Sequence, residues 1–152
     1  MSAVSSVGPT PSDALDGYVL DIQVGYLLRR AHQRATSVFL EGMAPDALTP
    51  TQFATLVKLA ELGPMSQNHL GRTIAMDPAT SQGVVRRLVE QGLIHRAADT
   101  TDRRRAVLSL TEEGRGVIER CRKRGLGISA KILSPLQPAE REVFVRLLKQ
   151  LV

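Results

Sequence analysis

Polar and basic side chains concentrate between residues 66 and 110, and their chemical types suit hydrogen bonding to nucleic acid. Four of them stand close together near the start of one helical pattern: Thr80, Ser81, Gln82 and Arg86. Arginine can pair with guanine through two hydrogen bonds, glutamine can pair with adenine in the same way, and hydroxyl groups can pair with several bases. We therefore predict that these four side chains read base edges in the major groove of a DNA duplex.

A second set of side chains is suited to phosphate, which fixes a protein on the duplex without reading its sequence. Ser66 and Asn68 open the preceding helical pattern, and Arg87 lies beside Arg86 on the outer surface of the later one. Contacts of this kind come from uncharged polar groups as well as from cations. We predict that Ser66, Asn68 and Arg87 bind phosphates.

A basic loop extends this surface further along the chain. Asp102, Arg103 and Arg104 lie between two segments, 94–98 and 106–110, whose composition and length predict short strands. The polar link at 99–105 is too long for a two-residue turn, so a longer, positively charged hairpin is expected. We predict that Arg103 and Arg104 reach a minor groove or its phosphates, and that Asp102 structures the loop through a local ion pair.

Two short helices must position the base-reading residues. The first runs from Ser66 to about Ala75 and ends before Asp77, because a residue that precedes proline disfavours helical geometry. Asp77 then caps the second helix, whose inward stripe is expected to be Val84, Val85, Leu88 and Val89. Gly92 ends that helix as a left-handed C-terminal glycine. The predicted order is therefore helix, turn, helix and basic hairpin.

This order resembles a winged helix-turn-helix, and particular segments resemble the MarR family of bacterial transcription regulators. The similarity lies in Leu-Val-Glu-Gln-Gly-Leu-Ile at 88–94, in the wing-tip Asp102-Arg103-Arg104, and in Leu-Ser-Leu-Thr-Glu-Glu-Gly at 108–114. It extends over roughly residues 18–152. The resemblance implies a two-fold dimer held by terminal helices, with one DNA-binding lobe in each chain.

Charge and composition limit the kinds of partner. The chain has 152 residues, a net charge of +5 and a pI near 10.0. Residues 66–110 carry seven Arg against four Asp and Glu, so positive charge is concentrated where polyanion binding is predicted. Aromatic residues make up only 3% of the chain, which argues against base stacking on single strands as the main binding mode.

Other classes of protein are disfavoured by motifs that the sequence lacks. No stretch approaches the roughly 20 apolar residues of a membrane span, and the N-terminus has no signal-peptide pattern, so we expect a soluble cytoplasmic protein without a membrane partner. The histidines, His32, His69 and His95, do not have the spacing of metal ligands. No nucleophile or phosphate-loop motif occurs, and we expect neither catalysis nor a cofactor nor a metal site.

The predicted fold is mainly α-helical with a small β-wing. Residues 1–14 are rich in Ser, Pro and Thr and poor in apolar residues, which predicts a disordered tail. A long helix is expected within 15–48, the winged helix-turn-helix lobe within 49–110, and two more helices within 111–152. These terminal helices have more apolar surface than the lobe needs, so we predict that they form a homodimer.

The first helix carries a polar seam that is a candidate for small-molecule binding. Tyr26, Arg29 and His32 follow one another at intervals of three, which places them on one side of a helix. MarR-family members commonly bind aromatic acids between the terminal helices and the winged lobe. The resemblance thus implies an effector whose carboxylate is held by Arg29 and His32, with Tyr26 against its ring and Phe53 as an apolar wall. Exposed surface groups and dimer contacts are the alternative interpretation of these residues.

The sequence therefore predicts a homodimeric repressor that binds a pseudo-palindromic duplex operator and is released by a small aromatic carboxylate. One alternative is a redox-responsive regulator, since Arg120 and Arg122 flank Cys121 and could lower the pKa of its thiol, although a partly buried and inert thiol is the preferred interpretation of Cys121. Another is an architectural DNA-binding protein that has no ligand. A footprint with defined half-sites separates the regulator from the architectural protein.

Overall fold

A computed structural model describes residues 17–102 and 105–152 of the chain. The predicted tail at 1–14 and the wing residues Arg103 and Arg104 lie outside the described residues. The described residues divide into two compact units, one that ends at Ala35 and one at Thr36–Val152, which are described separately below. No helix within the described residues is both long enough and apolar enough to cross a membrane.

In the first unit, a short 3-10 turn at Leu20–Ile22 precedes helix α1, which spans Val24–Gly42 and continues into the second unit. The sequence predicted one continuous helix from about Leu15, and this start is wrong. Gln23 is extended, with ψ 126°. Its backbone N–H donates to the Leu20 carbonyl at 2.9 Å, and its side-chain amide donates to the Val19 carbonyl at 3.0 Å. These bonds close the 3-10 turn, so the α-helix begins at Val24.

The second unit contains the remaining helices and a small sheet. The helices are α2 (Pro50–Leu62), α3 (Gln67–Thr73), α4 (Pro78–Glu90), α5 (Glu112–Ile132) and α6 (Pro138–Leu148). The strands are β1 (Met65–Ser66), β2 (Ile94–Ala98) and β3 (Ala106–Leu110). Thus the two helices, the two wing strands and the two C-terminal helices occur where the sequence predicted them, and the predicted mainly helical fold with a β-wing is confirmed.

Side-chain caps fix where the helices begin. Thr49 and Gln52 form a capping box in which the Gln52 N–H donates to the Thr49 hydroxyl at 3.3 Å, and the Thr49 N–H donates to the Gln52 amide oxygen at 2.9 Å. Thr111 caps α5 by accepting a hydrogen bond from the Gly114 N–H at 3.0 Å. The Thr111 hydroxyl also donates to the Gly92 carbonyl at 2.6 Å, which connects the start of α5 to the residues that follow α4.

The sheet is antiparallel and has the order β1-β3-β2. Its register pairs Ile94 with Leu110 and Ala98 with Ala106 across the wing, and Met65 with Leu108 on the other side. The two-residue strand β1 was not predicted from the sequence. It exists only because β3 supplies backbone partners from a distant part of the chain. The wing is consequently attached to the start of α3.

The core lies between α2, α3, α4, α5 and β3. Leu56, Leu70, Leu88 and Leu108 are each 0% exposed, and Val84 and Val85 belong to the same cluster. Val89 was expected in this inward stripe but is 38% exposed, and that prediction is wrong. At 3.6 residues per turn, Val89 falls on the edge of the stripe, whereas Val84, Val85 and Leu88 fall within it.

Candidate nucleic-acid interface

The start of α4 is held in place by Asp77. Its carboxylate accepts hydrogen bonds from the Thr80 N–H at 2.9 Å and from the Thr80 hydroxyl, and Pro78 occupies the first helical position. These hydrogen bonds from Thr80 lower the pKa of Asp77 below its ordinary value. The Asp77 side chain therefore stays charged at the N-terminus of the helix, where a negative charge is favourable.

The outer face of α4 presents the side chains predicted to contact DNA. Gln82, Arg86 and Arg87 are exposed, and so is Thr80. Arg86 lies 3.8 Å from Glu90 one turn later, and both side chains are more than half exposed. An exposed pair of this kind contributes at most about 1 kcal/mol, so Glu90 does not hold the guanidinium away from a stronger partner.

Ser81 does not lie where the sequence interpretation placed it. It is only 3% exposed, and its side chain packs against Gly71, where an added Cβ would lie 3.5 Å from the Ser81 hydroxyl. That hydroxyl has no hydrogen-bond partner among the described residues. Ser81 is three residues before Val84 and four before Val85, so helical periodicity places it in the buried stripe. Its burial argues for a packing role between α3 and α4 rather than for base reading.

The first helix of the pair, α3, brings its own polar residues to the same side. The Ser66 hydroxyl accepts a hydrogen bond from the His69 N–H at 3.3 Å, so Ser66 caps α3. Asn68 is exposed. A cleft of about 360 Å³ runs between α3 and α4 and is lined by Gln67, Asn68, Gly71, Arg72, Met76, Pro78 and Ser81. Ser66 and Asn68, which are predicted to bind phosphate, therefore lie at the start of a helix that meets α4 at this cleft.

Short hydrogen bonds organise the described part of the wing loop. The Asp99 carboxylate accepts from the Thr101 N–H at 2.8 Å and from the Thr101 hydroxyl at 2.7 Å. The Asp99 N–H donates to the Arg105 carbonyl at 2.9 Å, and Asp102 forms an ion pair with Arg105 at 3.5 Å. The proposed contacts of Arg103 and Arg104 with DNA fall on residues that the structure does not describe.

Three arginines that the sequence interpretation did not assign line a second cleft on this surface. Arg72 from α3, Arg96 from β2 and Arg105 at the wing surround a volume of about 430 Å³ together with Ser66, Gln67, Asn68 and Ala106. They are distant in sequence, and the pairing of β3 with both β1 and β2 brings them together. The one signal available beforehand was the excess of arginine over 66–110.

The residues predicted to bind an effector fall in both compact units. In the first unit, the Arg29 and Arg30 guanidinium carbons lie 5.4 and 5.7 Å from the centre of the Tyr26 ring. These distances fit cation–π contacts. His32 is exposed on the same helix.

Phe53 belongs to the second unit, where its ring centre lies 5.8 Å from that of Phe39. Both rings line a cavity of about 700 Å³ whose other lining residues are Arg122, Lys123, Gly125, Leu126, Ile128, Ser129 and Ile132. The cavity thus combines aromatic walls with two cationic side chains.

Cys121 has an environment that opposes redox reactivity. It is 0% exposed, and the structure brings it to Asp46, a residue far away in sequence. Burial first, and then the hydrogen bond to Asp46 and its negative charge, raise the pKa of the Cys121 thiol despite Arg124 and Arg120. The lowered pKa that the redox alternative requires is therefore contradicted, because desolvation and the Asp46 carboxylate outweigh the arginines, and the preferred interpretation of an inert thiol agrees with this environment.

Asp46 is the centre of a charge network between the α1–α2 connection and α5. Arg124 lies 2.5 Å from its carboxylate and Arg120 lies 3.7 Å away, while Arg120 also reaches Glu113 at 3.2 Å. Within residues 17–102 and 105–152, no group of three His, Cys, Asp or Glu side chains could hold a metal ion.

Comparison with known proteins supports a role for this surface in transcription regulation. The model of the MarR family matches residues 48–106 of the chain, which include the helix-turn-helix and β2. The HTH-type transcriptional repressor NicR of Pseudomonas putida is 37% identical over 146 residues, and the alignment covers 94% of this chain and 92% of NicR.

Two solved structures are also similar over most of the chain. A probable transcriptional regulator from Pseudomonas aeruginosa is 46% identical with a TM-score of 0.84, and the match covers 88% of this chain and 100% of that one. Bordetella bronchiseptica BpsR, whose DNA binding is regulated by 6-hydroxynicotinic acid, is 35% identical with a TM-score of 0.82. That match covers 88% of this chain and 96% of the BpsR chain.

Proposed function

Because the chain belongs to the MarR family of winged helix-turn-helix transcription regulators, we propose that it is a repressor that binds a pseudo-palindromic duplex operator as a homodimer. A small aromatic carboxylate is its proposed effector. The observation that carries DNA binding is the outer face of α4, where exposed Gln82 and Arg86 stand beside a second helix and a basic wing. A recognition helix enters the major groove with its leading residues toward the bases.

Base reading is assigned to Gln82 and Arg86, since both are exposed and both can make two hydrogen bonds to a purine. The Thr80 hydroxyl is engaged by Asp77, which leaves its methyl group for contact with a thymine methyl. Arg87, Ser66 and Asn68 are proposed to bind phosphates on either side of the groove.

The test begins with a duplex that the wild-type protein selects from a random pool. Arg86→Ala should cost about 1–3 kcal/mol on that duplex and little on a random duplex of equal length. Arg115→Ala removes an exposed arginine on α5 and serves as the control. Equal losses on both duplexes would reduce Arg86 to a phosphate contact, and a footprint without half-sites would indicate an architectural protein.

The wing is proposed to add backbone contacts through Arg103 and Arg104. Replacing both with alanine should weaken binding and make its salt dependence shallower by about two units of slope or more per dimer, because fewer counterions are released. An unchanged salt slope would show that these two arginines do not engage DNA.

Homodimer formation is proposed from apolar surface that the isolated chain leaves exposed. Helix α6 has no buried residue, and its exposed apolar side chains include Val143, Phe144 and Leu147. Leu126 on α5 is 72% exposed. Such surface on terminal helices is typical of an obligate interface.

Removing residues 135–152 tests the dimer. The shortened protein should aggregate or lose DNA binding, since two half-sites about 34–36 Å apart require two recognition helices at a fixed distance. Analytical ultracentrifugation of both forms measures the oligomeric state. A well-behaved monomer that keeps full affinity would contradict the dimer.

The proposed effector is an aromatic acid of the benzoate or nicotinate type. Support comes from BpsR, which responds to 6-hydroxynicotinic acid. In the first unit, Arg29 and His32 are proposed to bind the carboxylate and Tyr26 the ring. The cavity bounded by Phe39 and Phe53 gives a second candidate site, with Arg122 and Lys123 as its cations.

A DNA-binding titration with benzoate-, hydroxycinnamate- and nicotinate-type acids tests the effector. An acid that binds the DNA-free form better must weaken DNA binding by its differential affinity. Arg29→Ala and His32→Ala should abolish that response, whereas Arg122→Ala and Lys123→Ala should leave it intact. The opposite result would move the site to the cavity, and no response to any acid at millimolar concentration would refute an aromatic acid effector.

A further inference from the structure

We propose that Arg72, Arg96 and Arg105 form a cleft that binds the phosphate backbone of the duplex between α3 and the wing. This inference rests on the proposed function, because it assigns a contact of the same DNA-binding surface. It names residues that are neither on the recognition helix nor at the wing tip.

The three arginines come from three separate elements. Arg72 lies in the last turn of α3, Arg96 lies within β2, and Arg105 comes immediately before β3. Strand β3 lies between β1 and β2, pairing Ser66 with Val107 on one side and Arg96 with Leu108 on the other. The sheet therefore fixes the wing arginines beside the start of α3, and the three side chains surround one cleft of about 430 Å³.

The cleft has an excess of positive charge. None of its lining residues among those described is acidic, and Ser66, Gln67 and Asn68 add uncharged polar groups. Arg105 is paired with Asp102 at 3.5 Å, but neither Arg72 nor Arg96 has an ion-pair partner within the described residues. Like charges brought together without compensation disfavour one another, and an anion in the cleft would relieve that repulsion.

The position of the cleft favours a polymeric anion over a small one. It shares Gln67, Asn68 and Arg72 with the cleft between α3 and α4, which extends to Pro78 at the start of the recognition helix. The two clefts thus adjoin one another and together extend from the start of the recognition helix to the wing. A duplex whose major groove holds α4 presents a line of phosphates at each edge of that groove, which matches a path rather than a single pocket.

The test compares Arg72→Ala/Arg96→Ala with the wild-type protein on two duplexes, one selected by the wild type from a random pool and one of random sequence. Arg105 is left unchanged because it forms an ion pair with Asp102, at 3.5 Å, within the wing loop. Four fewer phosphate contacts per dimer should make the slope of log affinity against log salt shallower by about 3–4 units. The loss should be equal on the two duplexes, because phosphate contacts do not read sequence.

Two further variants serve as controls. Arg72→Lys/Arg96→Lys keeps the charges and should retain most of the salt slope. Arg115→Ala removes an exposed arginine from α5 and should leave the slope unchanged. Circular dichroism at the working temperature establishes that every variant is folded, so a change in slope reports on DNA contacts.

Three outcomes would overturn the inference: an unchanged slope in the alanine double variant, a loss confined to the selected duplex, or a slope that lysine fails to retain. Inorganic phosphate at constant ionic strength distinguishes the other source of anion. If millimolar phosphate binds the wild type but not the double variant while both proteins have the same salt slope on DNA, the cleft is a free-anion site and not a backbone contact. A further outcome is that the wild type selects no duplex from the random pool while the double variant still has a shallower salt slope than the wild type on random DNA. That result would refute the repressor function and support the phosphate-binding cleft.

Discussion

Gly114→Ala should destabilise the protein even though alanine is the better helix former. Gly114 lies in the first turn of α5, where a Cβ would be 2.1 Å from the Leu93 carbonyl oxygen and 3.1 Å from its carbon. Leu93 immediately precedes β2, and its carbonyl accepts a hydrogen bond from the Thr111 N–H at 3.2 Å. The obstructing atoms are backbone, so relief requires movement of α5 or of the wing.

The size of the effect follows from three contributions. Overpacking a tight contact costs about 1–3 kcal/mol. Separating α5 from this backbone also weakens the hydrogen bonds of Thr111 to Leu93 and to Gly92, at about 1 kcal/mol each. Alanine recovers about 1 kcal/mol of helix propensity. The expected net loss is about 2–4 kcal/mol in the free energy of unfolding.

Urea unfolding followed by circular dichroism at one protein concentration measures this loss, since a dimer makes stability depend on concentration. Gly127→Ala on the same helix is the matched control, because nothing lies within 4 Å of its Cβ. That control should be as stable as the wild type or up to about 1 kcal/mol more stable. If Gly114→Ala unfolds at the same urea concentration as Gly127→Ala, the close approach of α5 to Leu93 does not exist.

Three further outcomes are expected. Asp77→Ala should lower the urea midpoint of unfolding and weaken DNA binding, because it removes the cap of the recognition helix; retention of both properties would contradict the cap. Cys121 should react with a thiol reagent only after urea unfolding, since it is fully buried with a raised pKa; rapid reaction of the folded protein would restore the redox hypothesis. The pKa of Asp46 is lowered in the folded protein, so ionised Asp46 stabilises the fold at pH values above its ordinary pKa of 3.8. This stabilisation is lost as the pH falls through the pKa of Asp46 in the folded protein. Asp46→Asn should therefore flatten the acid limb of the plot of stability against pH. Unfolding midpoints between pH 7 and pH 3 test that expectation, and an unaltered acid limb would refute it.

The sequence determined the order and the limits of most elements, because the signals for them act between neighbouring residues. Asp77 and Pro78 start α4 as predicted, and Thr111 caps α5. The strands at Ile94–Ala98 and Ala106–Leu110 also match their predicted ranges. Caps, prolines and short apolar runs act through local backbone geometry, which neighbouring residues determine.

The burial of Ser81 could have been predicted from the sequence, but the sequence interpretation placed Ser81 among the base-reading residues. Its chemical type suits base reading, but its spacing from Val84 and Val85 places it in the buried stripe. Helical periodicity predicts burial more directly than side-chain type does, because helix geometry fixes the direction of each side chain whatever the residue is.

Only the tertiary structure decided which distant groups meet. The neighbours of Cys121 in sequence are arginines, yet burial and the carboxylate of Asp46, which precedes α2, raise the pKa of its thiol. In the same way, Arg72 and Arg96 reach one cleft because β3 pairs with strands on both of its sides. Charge repulsion and desolvation depend on distances through space. Folding sets those distances when it packs together elements that are far apart in sequence, and local sequence signals do not say which elements will pack together.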